Sequence, residues 1–325
     1  MMKHLLSSFA VVGAMTMAPL AASAEEITMN AVSMTPKTHA LSHGFKMFID
    51  EINEEFEGEF QINWRGGPEV IQMFGQAEAA RNGAIDIAFT DPSFYAGLVP
   101  EAKTRYFTNS TYDAVNASGF IDKIQELHDG SGLFYIGTIP ASDVKFHFYL
   151  REPIESIDDL KGLRIRAFPT VQPAVEAMGA SPLVLPMGEI YTAMERGAID
   201  GFVFGTIGAG EQFKGVVQQV VTPGFFQGGF NAVVNQDAWN EIPEDLQNRI
   251  VTFVRDDLAP RIDASWDETI SGAFQEMESA GYQFYDMPEA EQAKYLELIS
   301  DAGWQSVGDK IDPAVSAELR KMLTE

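Results

Sequence analysis

The sequence predicts an α/β protein built as two similar lobes. Three observations carry this. First, the N-terminal part reads strand, helix, strand, helix, strand. Ile27, Met29 and Ala31 alternate; Leu41, Phe45, Phe48 and Ile52 mark one helix face, ending near Gly58; Phe60, Ile62 and Trp64 alternate again. The turn Arg65-Gly66-Gly67-Pro68 leads to a second helix that stops at Asn82-Gly83, and Ala84–Phe89 is an apolar strand. Such an order predicts a parallel sheet. Second, the stretch from Ile157 to Phe204 repeats the scheme. Asp158 and Asp159 open a turn that Gly162 closes, and Leu163, Ile165 and Ala167 alternate with Arg164, Arg166 and Phe168 up to Pro169. A helical run, the short strand after Pro182, the amphipathic run Glu189–Arg196 stopped by Gly197, and the apolar strand Ile199–Phe204 follow. Third, Arg81-Asn82-Gly83-Ala84-Ile85-Asp86 is echoed by Glu195-Arg196-Gly197-Ala198-Ile199-Asp200. Each reads as a helix C-terminus capped by glycine and running into a buried strand.

Between and after these halves lie the connections. Leu133–Ile139 and Val144–Leu150 read as strands suited to pass from one lobe to the other, with Gly228-Gly229 and Phe230–Asn235 as the return. Ile242-Pro243-Glu244-Asp245 starts a long helix, with proline in the first turn and acids at the positive end of the dipole. Leu246, Ile250, Phe253 and Leu258 are its expected apolar face, and Pro260 is expected to break or kink it. Ile262, Trp266, Ile270 and Phe274 continue the pattern to Gly281. The last forty residues read as helical, anchored by Tyr295, Leu296, Leu298 and Trp304.

Composition narrows the function. Lys3 and His4, the apolar run Leu5–Leu20 and Ala22-Ser23-Ala24 read as a cleavable export signal over 1–24. No later stretch has the length and apolarity of a membrane span, so direct membrane insertion is not expected and a soluble exported protein is. There is no cysteine, hence no disulfide framework and no thiolate metal site. With 22 basic against 47 acidic side chains the net charge is −25, which argues against a nucleic-acid partner. An anionic ligand is still allowed, because the Debye length is about 8 Å at physiological salt and distant carboxylates are screened.

No catalytic constellation rises above background. His39 and His43 are four apart, but Ala40 stands where a zinc protease needs glutamate, so a helix-start pair is the plainer reading. Gly205, Gly208 and Gly210 have the wrong order for a dinucleotide loop, and there is neither a P-loop lysine motif nor a Gly-x-Ser-x-Gly turn. Binding candidates are clearer. Arg166 sits near the carboxyl end of a strand, where ligands gather in α/β units. Its planar fork matches a carboxylate bidentately. Arg164, nearer the strand start, suits a surface ion pair instead. Lys145 is a candidate second donor. The rings of Phe146, Phe168 and Phe204 are candidate walls, although such residues are more often core. Phe225-Phe226-Gln227, held between Pro223-Gly224 and Gly228-Gly229, is hard to explain as turn chemistry and suggests a wall built against something. Tyr95 and Trp64 follow N-terminal strand ends, where a cleft would lie.

These residues resemble the extracytoplasmic solute receptors of tripartite ATP-independent periplasmic (TRAP) transporters, of the C4-dicarboxylate-binding (DctP) type. The likeness spans essentially the whole mature chain. It is strongest at Leu160-Lys161-Gly162-Leu163-Arg164-Ile165-Arg166, Gly179-Ala180-Ser181-Pro182, Glu189-Ile190-Tyr191, Gly197-Ala198-Ile199-Asp200-Gly201 and Trp239 to Glu244. The resemblance implies the periplasm as the compartment, and a two-lobed periplasmic binding protein fold with a ligand cleft between the lobes and a long helix spanning both. The implied division is lobe I at 25–147 and 230–258, lobe II at 148–229 and 282–325, and a connecting helix at 243–281, with overlapping boundaries. It also implies that Arg166 binds a ligand carboxylate and that the ligand passes to membrane permease subunits. Pro223-Gly224-Phe225-Phe226-Gln227-Gly228-Gly229 looks like the branch that binds 2-oxo acids and related monocarboxylates. That branch has an acid where this chain has Gln227 and another where it has Val203, so no cation, metal or cofactor is expected. The expected ligand is a small organic monocarboxylate with an apolar or aromatic body. The chain is expected to act as a monomer or homodimer. A secreted enzyme acting on small acids, or a receptor feeding a membrane sensor kinase, are the competing readings.

Overall fold

A computed structural model describes residues 26–324; the expected leader, 1–24, lies outside them. Among the described residues eleven strands make two sheets. In chain order they are β1 (Ile27–Ser33), β2 (Phe60–Gly66), β3 (Ile87–Thr90), β4 (Leu133–Ala141), β5 (Phe146–Leu150), β6 (Arg164–Ala167), β7 (Ser181–Val184), β8 (Gly201–Gly205), β9 (Gln219–Thr222), β10 (Gly228–Asn235) and β11 (Gln283–Asp286). The first sheet runs β2-β1-β3-β10-β4, the second β11-β9-β5-β8-β6-β7.

The two sheets share one topology over five strands, and the second adds β11 parallel to β9 at its edge. β2, β1 and β3 are parallel, and β10 joins β3 and β4 antiparallel. Likewise β7, β6 and β8 are parallel, and β5 joins β8 and β9 antiparallel. The sequence echo marks the same joint in both. Gly83 and Gly197 take the left-handed conformation, at φ 73° and 67°, that glycine adopts without steric penalty. The aspartate after each then stitches three strands. Asp86 Oδ2 accepts from Asn30 N at 2.7 Å, while Asp86 N donates to Asn30 O and Asp86 O accepts from Asn235 N. Asp200 Oδ2 accepts from Arg164 N at 2.9 Å, while Asp200 N donates to Arg164 O and Asp200 O accepts from Arg151 N. These turns start β3 and β8 at Ile87 and Gly201 rather than at Ala84 and Ile199 as expected.

The chain changes sheets between β4 and β5 and returns between β9 and β10. The two connections run side by side: Phe146 and Phe225 exchange backbone hydrogen bonds of 2.9 Å, and Gly228 N donates to Val144 O at 2.6 Å. A helical path makes a third link. Helices Glu244–Phe253 and Ala259–Ala264 are joined by a π-helical stretch, Val254–Leu258. Pro260 therefore does not break the helix. Its ring would crowd the carbonyl four residues back, and the widened turn just before it makes the room. The break comes at Ser265 and Trp266, after which Asp267–Ala280 runs to a left-handed Gly281. The buried stripe is Leu246, Ile250, Val254, Leu258, Ile262 and Trp266. Val254 thus takes the place expected of Phe253, which is half-buried, and Ala273 and Met277 are buried where Ile270 and Phe274 were expected. Helix Glu289–Gly308 packs Gly303 and Trp304 against Phe107 of the first unit, and Tyr295 against Phe225.

Candidate functional site

The parallel strands β3 and β6 point their carboxyl ends at a shared cavity. Its volume is about 50 Å³ and its lining is overwhelmingly apolar. Phe146, Phe168 and Phe204 come from the second unit, Phe94 and Phe230 from the first, and Met34, Met73 and Met187 join Leu41 and Val144 in the apolar wall. Two charged residues reach it, Arg166 and Asp91.

Arg166 and Arg164 leave β6 on the same face but meet different surroundings. Arg164 pairs with Asp200 at 2.6 Å on the outside, with side chains 46% and 24% exposed. It is a structural ion pair at the repeated turn. Arg166 is 2% exposed. Its Nε donates to Leu185 O at 2.9 Å and its Nη1 to Val203 O at 3.3 Å, and its Cζ lies 5.9 Å from the centre of the Phe168 ring, within cation–π range. Among the described residues no carboxylate comes within the 4.0 Å of an ion pair. Burial pushes the guanidinium down to about 10, and the charge of Asp91 offsets part of that. A buried cation held only by carbonyls and a ring is short of a counter-charge.

Asp91 follows β3 and is 2% exposed. Oδ1 accepts from Ser93 N at 2.8 Å, from Ser93 Oγ at 2.5 Å and, across the cleft, from Thr170 Oγ1 at 3.4 Å. Oδ2 lies 2.7 Å from the Tyr106 hydroxyl, which is also 2.6 Å from Gly229 O. Burial pushes the carboxyl up from its ordinary range, against those hydrogen bonds. Sequence reasoning missed Asp91. Thr90-Asp91-Pro92-Ser93 reads as plain turn chemistry, and the only hint was its place after a strand end.

Of the ten residues expected at the ligand, Arg166, Phe146, Phe168 and Phe204 line the cavity, and the other six do not. Lys145 turns away and donates to Ser142 O at 2.8 Å, and burial lowers its ammonium from the ordinary value. Phe225 and Phe226 are indeed a wall, but against the molecule itself: Phe225 packs on Phe148 and Tyr295, Phe226 on Phe107. Tyr95 is a core residue bonded to His128 and Asn231. Trp64 donates to Ser33 Oγ and lies under Lys37 on the outer side. His39 and His43 are bonded apart, to Gln212 and Ser265.

Gln227 serves the connections. Its carbonyl accepts from the buried Arg105, whose Nη2 reaches Ser142 Oγ at 3.0 Å and whose Nε has no partner, and its amide donates to Ser110 O at 2.8 Å. Gln227→Ala leaves that guanidinium with a single side-chain acceptor. The expected loss is about 2 kcal/mol of unfolding free energy, with ligand affinity unchanged. Urea unfolding beside a ligand titration checks both, and a large affinity loss at unchanged stability would refute the structural role.

Two similar α/β units, with one unpaired cation buried in a greasy cavity between them, are the build of a solute-binding protein. The chain belongs to the DctP family, bacterial extracellular solute-binding protein family 7, whose profile matches residues 31–306. It is 27% identical over 229 residues to a monocarboxylate 2-oxoacid-binding periplasmic protein of Nostoc sp. (strain PCC 7120), covering 65% of this chain and 61% of that one. It is 26% identical over 174 residues to the C4-dicarboxylate-binding periplasmic protein DctP of Rhodobacter capsulatus, covering 51% and 49%. The matches thus span about half to three fifths of these relatives' lengths. Among solved structures, a TRAP periplasmic solute binding protein from Desulfovibrio salexigens with bound orotic acid superposes with a TM-score of 0.78, at 22% identity, covering 92% of this chain and 97% of that one. An apo open one from Marinobacter aquaeolei VT8 gives 0.79 at 18%, covering 92% and 100%. Both likenesses concern the fold. Among the described residues no helix is long and apolar enough to cross a membrane.

Proposed function

We propose that the chain is the extracytoplasmic solute-binding receptor of a tripartite ATP-independent periplasmic transporter and holds a small organic monocarboxylate with an apolar body. The observation that carries this is Arg166, buried in an apolar cavity with carbonyls for partners and no carboxylate. A ligand carboxylate supplies the missing charge, and the rings and methionines take its body. The names of relatives agree in kind: a 2-oxoacid binder and a structure with orotic acid. In this reading lobe I (25–147, 230–258) and lobe II (148–229, 282–325) hinge about their side-by-side connections and the helical path at 243–281, which breaks at Ser265 and Trp266. The acid holds them together, and the closed form is what permease subunits recognise. The protein binds its acid without converting it. Calorimetry of the mature chain against short and branched monocarboxylates, each beside its neutral amide, is the test. The acids are expected to bind and return unchanged, and the amides to bind at least 30-fold more weakly. Equal binding of acid and amide would overturn the clamp, and a chemically altered acid would overturn the receptor.

A further inference from the structure

The cavity has two charged poles, one from each unit. Arg166 stands at the end of β6 and Asp91 at the end of β3, facing a common space whose other walls are almost all apolar. A plain monocarboxylate answers only the first pole. Asp91 is held rigidly: Ser93 occupies Oδ1 twice, and Thr170 reaches it from the opposite unit. Oδ2 has one neighbour, Tyr106, whose single proton is shared between Asp91 and Gly229 O. A carboxylate oxygen accepts more than one hydrogen bond, so Oδ2 keeps accepting capacity, and Asp91 is part of the cavity wall. Arg166 and Asp91 line the same small cavity and each lies within reach of the other's charge, so the ligand's donor has to sit near its carboxylate.

We infer that Asp91 selects the ligand: the receptor takes acids that carry a hydrogen-bond donor on the carbon next to the carboxylate and rejects dicarboxylates. The inference rests on the carboxylate reading of Arg166. The acid is gripped from both units, its carboxylate by Arg166 and its donor by Asp91. A donor left without an acceptor in an apolar cavity, or an acceptor facing Asp91, is penalised by the desolvation of both groups. A second carboxylate meets a fixed negative charge at low dielectric. Hydroxyl and ammonium donors share this chemistry, and an ammonium would also balance the Asp91 charge.

The test uses one carbon skeleton, 4-methylpentanoate, as the 2-hydroxy, 2-amino, 2-oxo and unsubstituted acids, with 2-methylbutanedioate as the dicarboxylate, titrated into wild type and Asp91→Asn. The variant is isosteric. Its Oδ1 can accept from Ser93 and Thr170 as before, and its Nδ2 can donate to Tyr106, whose proton then goes to Gly229 O. In wild type the hydroxy or amino acid is expected to bind at least tenfold tighter than the oxo and unsubstituted acids, and the dicarboxylate not at all. The hydroxy and amino arms tell which donor is preferred. In Asp91→Asn the amino-acid advantage should vanish, any hydroxyl advantage shrink several-fold, and the oxo acid gain, because the amide can donate to it. Wild-type series on unmodified protein keep the inference testable if the variant fails to fold. If the four acids bind wild type alike, the Asp91 inference alone falls. If none binds, the carboxylate reading falls and this inference with it.

Discussion

Arg166→Ala is expected to weaken acid binding by about 2–5 kcal/mol, the range for removing one partner of a buried, hydrogen-bonded charge pair, which is roughly 30-fold to several thousand-fold in Kd. The size follows from the setting. On the surface, as for Arg164 and Asp200, an exposed pair contributes about 0–1 kcal/mol. Arg166 is 2% exposed, bonds only to Leu185 O and Val203 O, and faces rings rather than water. Truncation leaves the ligand's carboxylate desolvated with nothing in return. Two further variants separate charge from shape. Arg166→Met keeps the length and is expected to lose binding equally while leaving the empty protein at least as stable, because a buried unpaired charge opposes folding. Arg166→Lys keeps a charge but not the fork, and is expected to fall between wild type and Arg166→Met. Isothermal titration with thermal unfolding of each ligand-free variant decides it. Full affinity in Arg166→Met would end the clamp.

Acid is expected to unfold the ligand-free protein well above the ordinary carboxylate range. His128 and His147 are buried, and burial pushes both down to about 4. Each faces a carbonyl at Nδ1: Ile124 O at 2.7 Å and Val221 O at 3.0 Å. Each is also in contact with a hydroxyl at Nε2, that of Tyr95 or of Thr206. The neutral tautomer with its proton on Nδ1 satisfies both neighbours. Since the folded values lie below the unfolded value of about 6.5, this stability is fully present above 6.5 and is lost as pH falls towards 4. The slope is about 1.4 kcal/mol per pH unit for each histidine. Asp91, raised by burial, works in the opposite sense: its share is present at low pH and lost as pH rises. The lowered carboxyls of Asp158, Asp200 and Asp256 act only at still lower pH. Melting temperature is thus expected to hold from pH 8 to 7 and to drop between 6.5 and 4. His147→Gln, whose amide can offer a donor and an acceptor, should take away about half of that acid limb. A melting temperature unchanged from pH 6.5 to 4.5 would refute the account.

The duplicated architecture was legible in the chain because it rests on local rules: alternating strands, a glycine at a left-handed turn, an aspartate after it. Arg166 was legible for a related reason, since a cation two residues into a short buried strand has few places to go. Asp91 was not, because what fixes it in the cavity wall is three neighbours at positions 93, 106 and 170, two of them distant in sequence. The methionines and Phe230 were hidden among ordinary core residues. Phe225 and Phe226 misled because a ring packed on a ligand and a ring packed on the C-terminal helix look alike in sequence; only the tertiary placement of Tyr295 and Phe107 separates them. Tyr95 and Trp64 show the limit of the strand-end rule, which places a loop near a cleft but says nothing about which way its side chains turn. Pro260 shows another: helix-breaking chemistry was read correctly, yet a π-helical turn absorbed it.

Among the described residues, Asp91 with Thr170 and His39 with Gln212 are polar contacts between the two units beside the cavity, and both measure 3.4 Å. Bonds that long are feeble. The two units are joined firmly on the side of the C-terminal helices, where Lys103 reaches Ser306 at 3.1 Å and Thr108 donates to Leu323 O at 2.7 Å, and only weakly across the cavity. If an acid bridges Arg166 and Asp91 as proposed, its residence time should follow how well it spans those two groups, since the protein's own contacts beside them are weak.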